Sequence, residues 1–360
     1  MNWTVEFHHA MSNIFPPAVH ANPVLPDTYR PEFYPLRGPP TVVGRPLPSS
    51  GGSLHGVLRR ARPDSAGKLA KRLIDWRIPM RVQVNGTSLY VDVEGAALEP
   101  DGYTMREKPT LLLLHGGPGH DHSIFKPAYG QLTDLVQVVY VDQRGNGRSQ
   151  NSDPATWSLD QWGDDVRALC DTLGIVQPIV LGWSWGGAVA MSYASRHPGH
   201  PGKLILQSTV ARWDLDRIVE GFRAEAGDEA ATAAKAFLTE GTPETFAAFG
   251  QLCAPAYSPD PNFPAESDIQ AMTRIIANPG LTMSFMSTAR FDLTARLASI
   301  RCPALVAAGT RDPITPLSAA REIVDGLPEA RLEVFERSGH FIPDTEGERF
   351  FSLLRSFITG

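Results

Sequence analysis

The chain has 360 residues, 42% hydrophobic and 20% charged, with a formal net charge of −6. That is ordinary globular composition with length enough for a large core, and it lacks the basic footprint of a nucleic-acid binder. No apolar run approaches a membrane span of roughly 18 residues, no secretory start is visible, and three cysteines (Cys170, Cys253, Cys302) without a C-x-x-C imply neither a disulfide framework nor a zinc site.

Residues 1–78 hold 11 of the 31 prolines and carry ten Lys/Arg against five Asp/Glu. Proline removes a backbone donor and breaks helix and strand alike. This stretch is therefore expected to be a poorly ordered leader, or sequence ahead of a start near Met80. A basic tether to an acidic partner is the rival reading. One short helix is expected at Ser65–Trp76.

From 79 onward the pattern changes. Met80–Val84 and Ser88–Val93 form a hairpin about Asn85-Gly86, the dipeptide of a two-residue turn. Buried strands are predicted at Thr110–Leu114, Val136–Val141, Ile179–Leu181, Leu204–Leu206, Ala304–Ala307 and Leu332–Phe335. Helical patterns lie between most of them, at Ser123–Leu135, Leu159–Leu173, Ser184–His197, Leu317–Gly326 and Thr345–Ile358. The alternation predicts an α/β fold, a mostly parallel sheet covered by helices on both faces. Residues 214–300 break the rhythm. They are Ala/Glu-rich, with helical runs at Glu225–Phe237 and Ile269–Ile276 and no convincing strand. They read as a helical cap inserted into a core of 79–213 and 301–360; such lids shape substrate choice and exclude water. A reducing cytoplasm is the expected compartment.

Gly182-Trp-Ser-Trp-Gly186 follows the apolar run Ile179-Val-Leu181 and leads into a helical run. Strand, G-x-S-x-G, helix is the setting of a nucleophile elbow, with the serine on a strained turn. A Gly-rich turn that happens to hold a serine is the plain alternative. A serine hydroxyl needs a base, and the base needs an orienting acid. In such sheets the order along the chain is Ser, Asp/Glu, His. Of the ten histidines only His197, His200 and His340 follow Ser184. His340 alone leaves room for a strand-borne acid before it. Asp312 lies in that interval, on the loop after a strand; helix capping is its alternative role. The expected triad is Ser184, Asp312 and His340.

Backbone donors for an oxyanion are expected from Trp185 and from Gly116 or Gly117 in the loop His115-Gly-Gly-Pro-Gly119. The segment Asp142–Gln150 offers G-x-G after a strand. It lacks the third glycine and the later acid of a dinucleotide site, so no cofactor is expected. His115, His120 and His122 share one loop without metal-ligand spacing, and no metal is expected.

HGGPG at His115–Gly119, DQRGNGRS at Asp142–Ser149 and GWSWGG at Gly182–Gly187, with GTRD at Gly309–Asp312 and SGHF at Ser338–Phe341, resemble the proline iminopeptidase family of α/β-hydrolases. The resemblance covers about residues 80–360. It implies an α/β-hydrolase fold, with an eight-stranded sheet and a helical cap over a Ser184–Asp312–His340 triad. It implies oxyanion donors from Gly117 and Trp185, and release of N-terminal residues, often proline, from short peptides. A substrate pocket is expected to involve Gly116, Trp183, Glu220, Glu240 and Phe341, with cap acids on the substrate amine; Glu225 and Glu244 are further candidates for that role. Esterases and amide hydrolases share these loops, and Pro313 follows Asp312 where some aminopeptidases carry an acid. Hydrolysis of small esters, lactones or amides is thus the alternative. A non-catalytic binding protein on the same fold is the rival of another class. The expected partner is a small molecule or short peptide, with no nucleic acid and no membrane.

Overall fold

The structure, a computed structural model, describes residues 80–260, 263, 275–288 and 290–360, the side chains of 286–288 excepted. The leader, the helix expected at Ser65–Trp76 and most of the one expected at Ile269–Ile276 lie outside the described residues. Strands β1 (Met80–Val84) and β2 (Thr87–Glu94) meet at Asn85 and Gly86, with φ of 42° and 74°. Two successive positive φ values match the right-handed twist of the flanking strands. β3 (Leu98–Asp101) and β4 (Thr104–Glu107) form a separate hairpin that the sequence reading missed. Its strands are largely exposed and polar, so they carry no apolar alternation.

The main sheet continues with β5 (Thr110–Leu114), β6 (Gln137–Asp142), β7 (Ile179–Trp183), β8 (Lys203–Gln207), β9 (Ala304–Gly309) and β10 (Ala330–Phe335). Its eight strands run in the order β1-β2-β6-β5-β7-β8-β9-β10. Only the β1–β2 and β2–β6 pairs are antiparallel. Successive residues of a strand face opposite sides, and in β5 to β9 both sides are buried. Leu112 and Leu114 join one core with Val139, Val141 and Val189, while Leu111 and Leu113 join another with Val138, Phe335 and Phe350. All four leucines are fully enclosed, each worth roughly 2–3 kcal/mol on burial.

Helices cover both faces: α1 (Leu159–Leu173) and α2 (Trp185–Arg196) border the first core. The Ser158 hydroxyl caps α1 by accepting from Gln161 N–H, and Gly174, at φ 68°, ends it. The helix expected at Ser123–Leu135 is instead two 3₁₀ turns, His122–Phe125 and Ala128–Leu132. Lys126 between them is extended, as a residue before proline prefers to be, and Pro127 follows it.

Between β8 and β9 the described chain forms α3 (Leu215–Glu240), α4 (Pro243–Cys253), α5 (Pro279–Thr288) and α6 (Thr294–Leu297). The two ends of this insertion meet: Trp213 N–H donates to the Phe291 carbonyl at 2.9 Å, and Leu293 N–H to Ala211 at 2.8 Å. α3 is longer than the run expected at Glu225–Phe237, and Gly227 interrupts it with a φ of 86°. Ile218, Phe222, Phe237 and Phe249 build a third core here, completed by Ile314 from the loop after β9. The chain closes with α7 (Leu317–Gly326) and α8 (Ile342–Thr359). α8 starts three residues earlier than expected and is broken at Glu346.

Candidate active site

β7 delivers its last buried residue, Trp183, directly into Ser184, which has a φ of 55° and a ψ of −125°. A β-carbon makes a positive φ costly, on the order of 1–3 kcal/mol, so the surroundings must hold this turn. Ser184 N–H donates to the Gln207 carbonyl at 2.9 Å, and the Thr209 hydroxyl donates to the Ser184 carbonyl at 2.6 Å. The flanking glycines are there for space. A Cβ on Gly182 would lie 2.4 Å from the Gly186 carbonyl oxygen, and one on Gly186 would lie 2.1 Å from that of Leu114. Helix α2 starts at Trp185, where the first N–H groups of a helix have no partner within it.

The loop after β5 lies over this turn. A Cβ on Gly116 would be 3.1 Å from Ser184 Cβ and 2.9 Å from the Trp183 ring. His115 is fully enclosed, and burial lowers its pKa against the pull of Asp142. Its Nε2 accepts from Gln143 N–H at 3.2 Å, so the proton belongs on Nδ1, which donates to the Gly116 carbonyl at 2.8 Å. In a trans peptide the N–H points opposite to the C=O. Holding the Gly116 carbonyl therefore fixes the direction of Gly117 N–H.

Asp312 and His340 come together from loops 28 positions apart: His340 Nδ1–H donates to Asp312 Oδ2 at 2.8 Å. Both are buried, at 3% exposure each. Asp312 Oδ1 accepts from Ile314 N–H (3.0 Å) and Thr315 N–H (2.9 Å), and Oδ2 also takes the Thr315 hydroxyl. Burial opposes the carboxylate charge. The His340 imidazole and these donors outweigh it and hold the carboxyl below its usual range. The capping-type turn at Asp312 and its bond to His340 thus coexist, while α7 begins only at Leu317. Tyr257 orients the histidine further: His340 N–H donates to its carbonyl at 2.8 Å, and the two rings meet edge to face at 5.2 Å.

The imidazole also packs on Trp183, the residue before the serine, at 5.3 Å between centroids, and Trp183 Nε1 donates to the His340 carbonyl at 3.3 Å. With Nδ1 committed to Asp312, Nε2 is the nitrogen left for a proton transfer. Among the described residues the Ser184 hydroxyl makes no hydrogen bond. Catalytic contacts of this kind commonly tighten only around bound substrate.

Of the residues expected at the pocket, Gly116, Trp183 and Phe341 are gathered here. Phe341 lies 5.1 Å from the Trp183 ring. Glu220 and Glu240 are not gathered here. Both are exposed, and Glu220 pairs with Arg223. The reason is helical phase: α3 buries Ile218, Phe222, Ala230, Ala231, Ala233, Ala234, Phe237 and Leu238, and Glu220 and Glu240 lie off that buried face. Glu225 pairs with Arg311 at 3.0 Å. That pair borders a cavity of about 290 Å³ shared with Ser258, Asp260 and Phe263. Phe263 packs on Phe341 at 5.6 Å, one ring beyond Trp183. Thr315 and Tyr257 had no sequence signal, because neither belongs to a motif of spacing.

Asp142, in the segment weighed as a nucleotide loop, accepts from His122 N–H at 2.9 Å, from His122 Nδ1 at 2.6 Å and from Arg148 N–H at 2.7 Å. It fastens two loops together. Among the described residues no group of three potential metal ligands occurs, and no helix is long and apolar enough to cross a membrane. The three cysteines are free and buried, and burial raises each thiol.

This strand order, with a left-handed serine turn at the end of a central strand, is the scaffold of α/β-hydrolases. The alpha/beta hydrolase fold model matches residues 109–346, and the chain belongs to that family. It is 30% identical over 272 residues to a proline iminopeptidase of Lactiplantibacillus plantarum, covering 71% of this chain and 94% of that one. It is also 30% identical over 244 residues to a pimeloyl-acyl-carrier-protein methyl ester esterase of Chromobacterium violaceum, covering 66% and 89%. A proline iminopeptidase structure from Mycobacterium smegmatis superposes with a TM-score of 0.63 at 24% identity, covering 78% of this chain and 98% of that one.

Proposed function

We propose that the protein is a serine hydrolase working through an acyl-enzyme, with Ser184, Asp312 and His340 as its triad. The observation that carries the reading is the buried His340–Asp312 bond of 2.8 Å, packed on the residue that precedes a left-handed serine. His340 Nε2 takes the Ser184 proton as Oγ attacks the substrate carbonyl. Gly117 N–H and Trp185 N–H donate to the oxyanion. His340 then protonates the leaving group, and water, activated by the same nitrogen, releases the acyl group. Asp312 keeps the imidazole in the required tautomer. The helices of 214–300 act as the cap, and the substrate is a small molecule in the cytoplasm.

Two substrate classes follow from this chemistry. Likeness to the iminopeptidases supports removal of N-terminal residues, proline foremost, from short peptides. One observation favours the second class, small esters, lactones or amides. Of the four acids expected on the substrate amine, Glu225 is engaged by Arg311, while Glu220, Glu240 and Glu244 are exposed.

A fluorophosphonate probe tests the mechanism. It should label Ser184 in the wild type and leave Ser184→Ala unlabelled, and Ser184→Ala should lose about 10⁶-fold in turnover. A binding protein on this scaffold would leave the wild type unlabelled, and that result removes the enzyme reading. Prolyl- and alanyl-p-nitroanilides, free and acetyl-capped, set against p-nitrophenyl esters separate the two classes. Cleavage confined to the uncapped amides supports the peptidase; hydrolysis of esters alone rules it out.

A further inference from the structure

The start of α5 and the residues just before it are bonded to the loops that follow β5 and β6. Ile276 N–H donates to Asp121 Oδ2 at 2.9 Å, and Asn278 N–H to the Gly119 carbonyl at 2.7 Å. The Thr282 hydroxyl donates to the Pro118 carbonyl at 2.7 Å, and Asn278 Nδ2 to the Gly145 carbonyl at 2.8 Å. Asn146 Oδ1 also accepts from Gly119 N–H at 2.7 Å. The approach is close enough to demand glycine. A Cβ on Gly119 would lie 1.9 Å from Thr282 Oγ1 and 2.7 Å from the Asn278 carbonyl oxygen.

A Gly-Gly-Pro-Gly loop has little conformational preference of its own, and Gly117 and Gly119 stand at φ 121° and 98°. Its geometry must come from outside. The Gly116 carbonyl is held by His115, and the carbonyls of Pro118 and Gly119 are held by the insertion. Gly117, the proposed donor, lies between these two anchorages. A donor is useful only at 2.7–3.1 Å from the oxyanion, and a displacement of about 1 Å lowers rates on the order of 10²-fold.

We infer that Thr282 and Asn278 are positioning residues for the oxyanion loop, so that the insertion between β8 and β9 sets the catalytic geometry as well as covering it. The inference rests on the serine-hydrolase reading above. It makes seating of α5 a condition for transition-state stabilisation, and it couples whatever moves α5 to the rate of acylation.

The test is the reaction of the full-length protein with a fluorophosphonate, whose P=O occupies the oxyanion position during attack. Thr282→Val removes the donor at nearly constant shape and leaves the Pro118 carbonyl unpaired; Thr282→Ser keeps the donor. The inactivation rate constant, the probe affinity and the melting temperature are measured for each. Thr282→Val is expected to slow inactivation about 10- to 100-fold with affinity held. Thr282→Ser should return it to near the wild-type rate, which mere packing would not require. Asn278→Ala, which frees the Gly145 carbonyl, is the second variant and should slow the same step. Wild-type inactivation rates in both Thr282→Val and Asn278→Ala, equal losses in Thr282→Val and Thr282→Ser, or a change in affinity alone would overturn the positioning role. If wild-type Ser184 does not react at all, the serine-hydrolase reading itself has failed. A labelled wild type with unaffected variants removes only the positioning role.

Discussion

Asp312 is enclosed and yet charged, and its partners explain both. Two backbone N–H groups, the Thr315 hydroxyl and His340 converge on one carboxyl. Asp312→Asn keeps the shape but offers an amide where His340 needs an acceptor, which favours the wrong tautomer. Turnover is expected to fall about 10⁴-fold with KM held, measured by steady-state kinetics on a substrate found in the panel; unchanged turnover would mean that another acid serves His340. At this scale the sequence was informative wherever chemistry imposes an order along the chain. Ser184, Asp312 and His340 could be put forward as a triad because in such sheets the acid, and then the base, follow the nucleophile along the chain. Thr315, Tyr257 and the tautomer of His115 were not legible, since each acts through a contact that no spacing encodes. The exposure of Glu220 and Glu240 was not legible, because a helical run predicts which residues share a face, but not which face meets the core.

At the scale of elements, the turn from β7 into α2 is tightly constrained. Gly186→Ala brings a Cβ within 2.1 Å of the Leu114 carbonyl oxygen, so α2 must move away from β5. Overpacking of this kind costs about 1–3 kcal/mol. The melting temperature should drop, and fluorophosphonate labelling should slow more than the lost stability explains, because Trp185 N–H moves with the helix. A variant with wild-type melting and labelling would show that the close approach is not needed. The central strands of the main sheet were legible because their apolar runs are buried on both sides. The exposed β3–β4 hairpin was not, as its polar residues record no core. The expected helix at Ser123–Leu135 failed on Pro127, whose effect on Lys126 outweighed the apolar period.

At the scale of the whole molecule, the loop after β5 is expected to contribute to acid sensitivity. His120 Nδ1 is closed off from solvent and has no partner among the described residues. Burial, with His115 next and Asp121 opposing, pushes its pKa down to about 4 from an ordinary 6.5. The unfolded chain therefore binds this proton first. Stability rises with pH across the window from about 4 to 6.5 and is lost as pH falls through it. The Asp312 carboxyl, held below its usual range, adds a second loss at lower pH. Melting temperatures from pH 7 to 4 should decline in the wild type and decline less in His120→Gln. Identical slopes would assign the effect elsewhere. The sequence by itself determined the scaffold and the order of the residues proposed for catalysis, because periodicity, glycine spacing and the Ser-Asp-His succession are properties of the chain read in one dimension. Only the tertiary structure decided how the insertion meets the site: the Asn278 and Thr282 bonds, the Glu225–Arg311 pair and the exposure of Glu220. Those contacts join residues up to 164 positions apart, and which side chains meet at such separations is settled by packing in three dimensions.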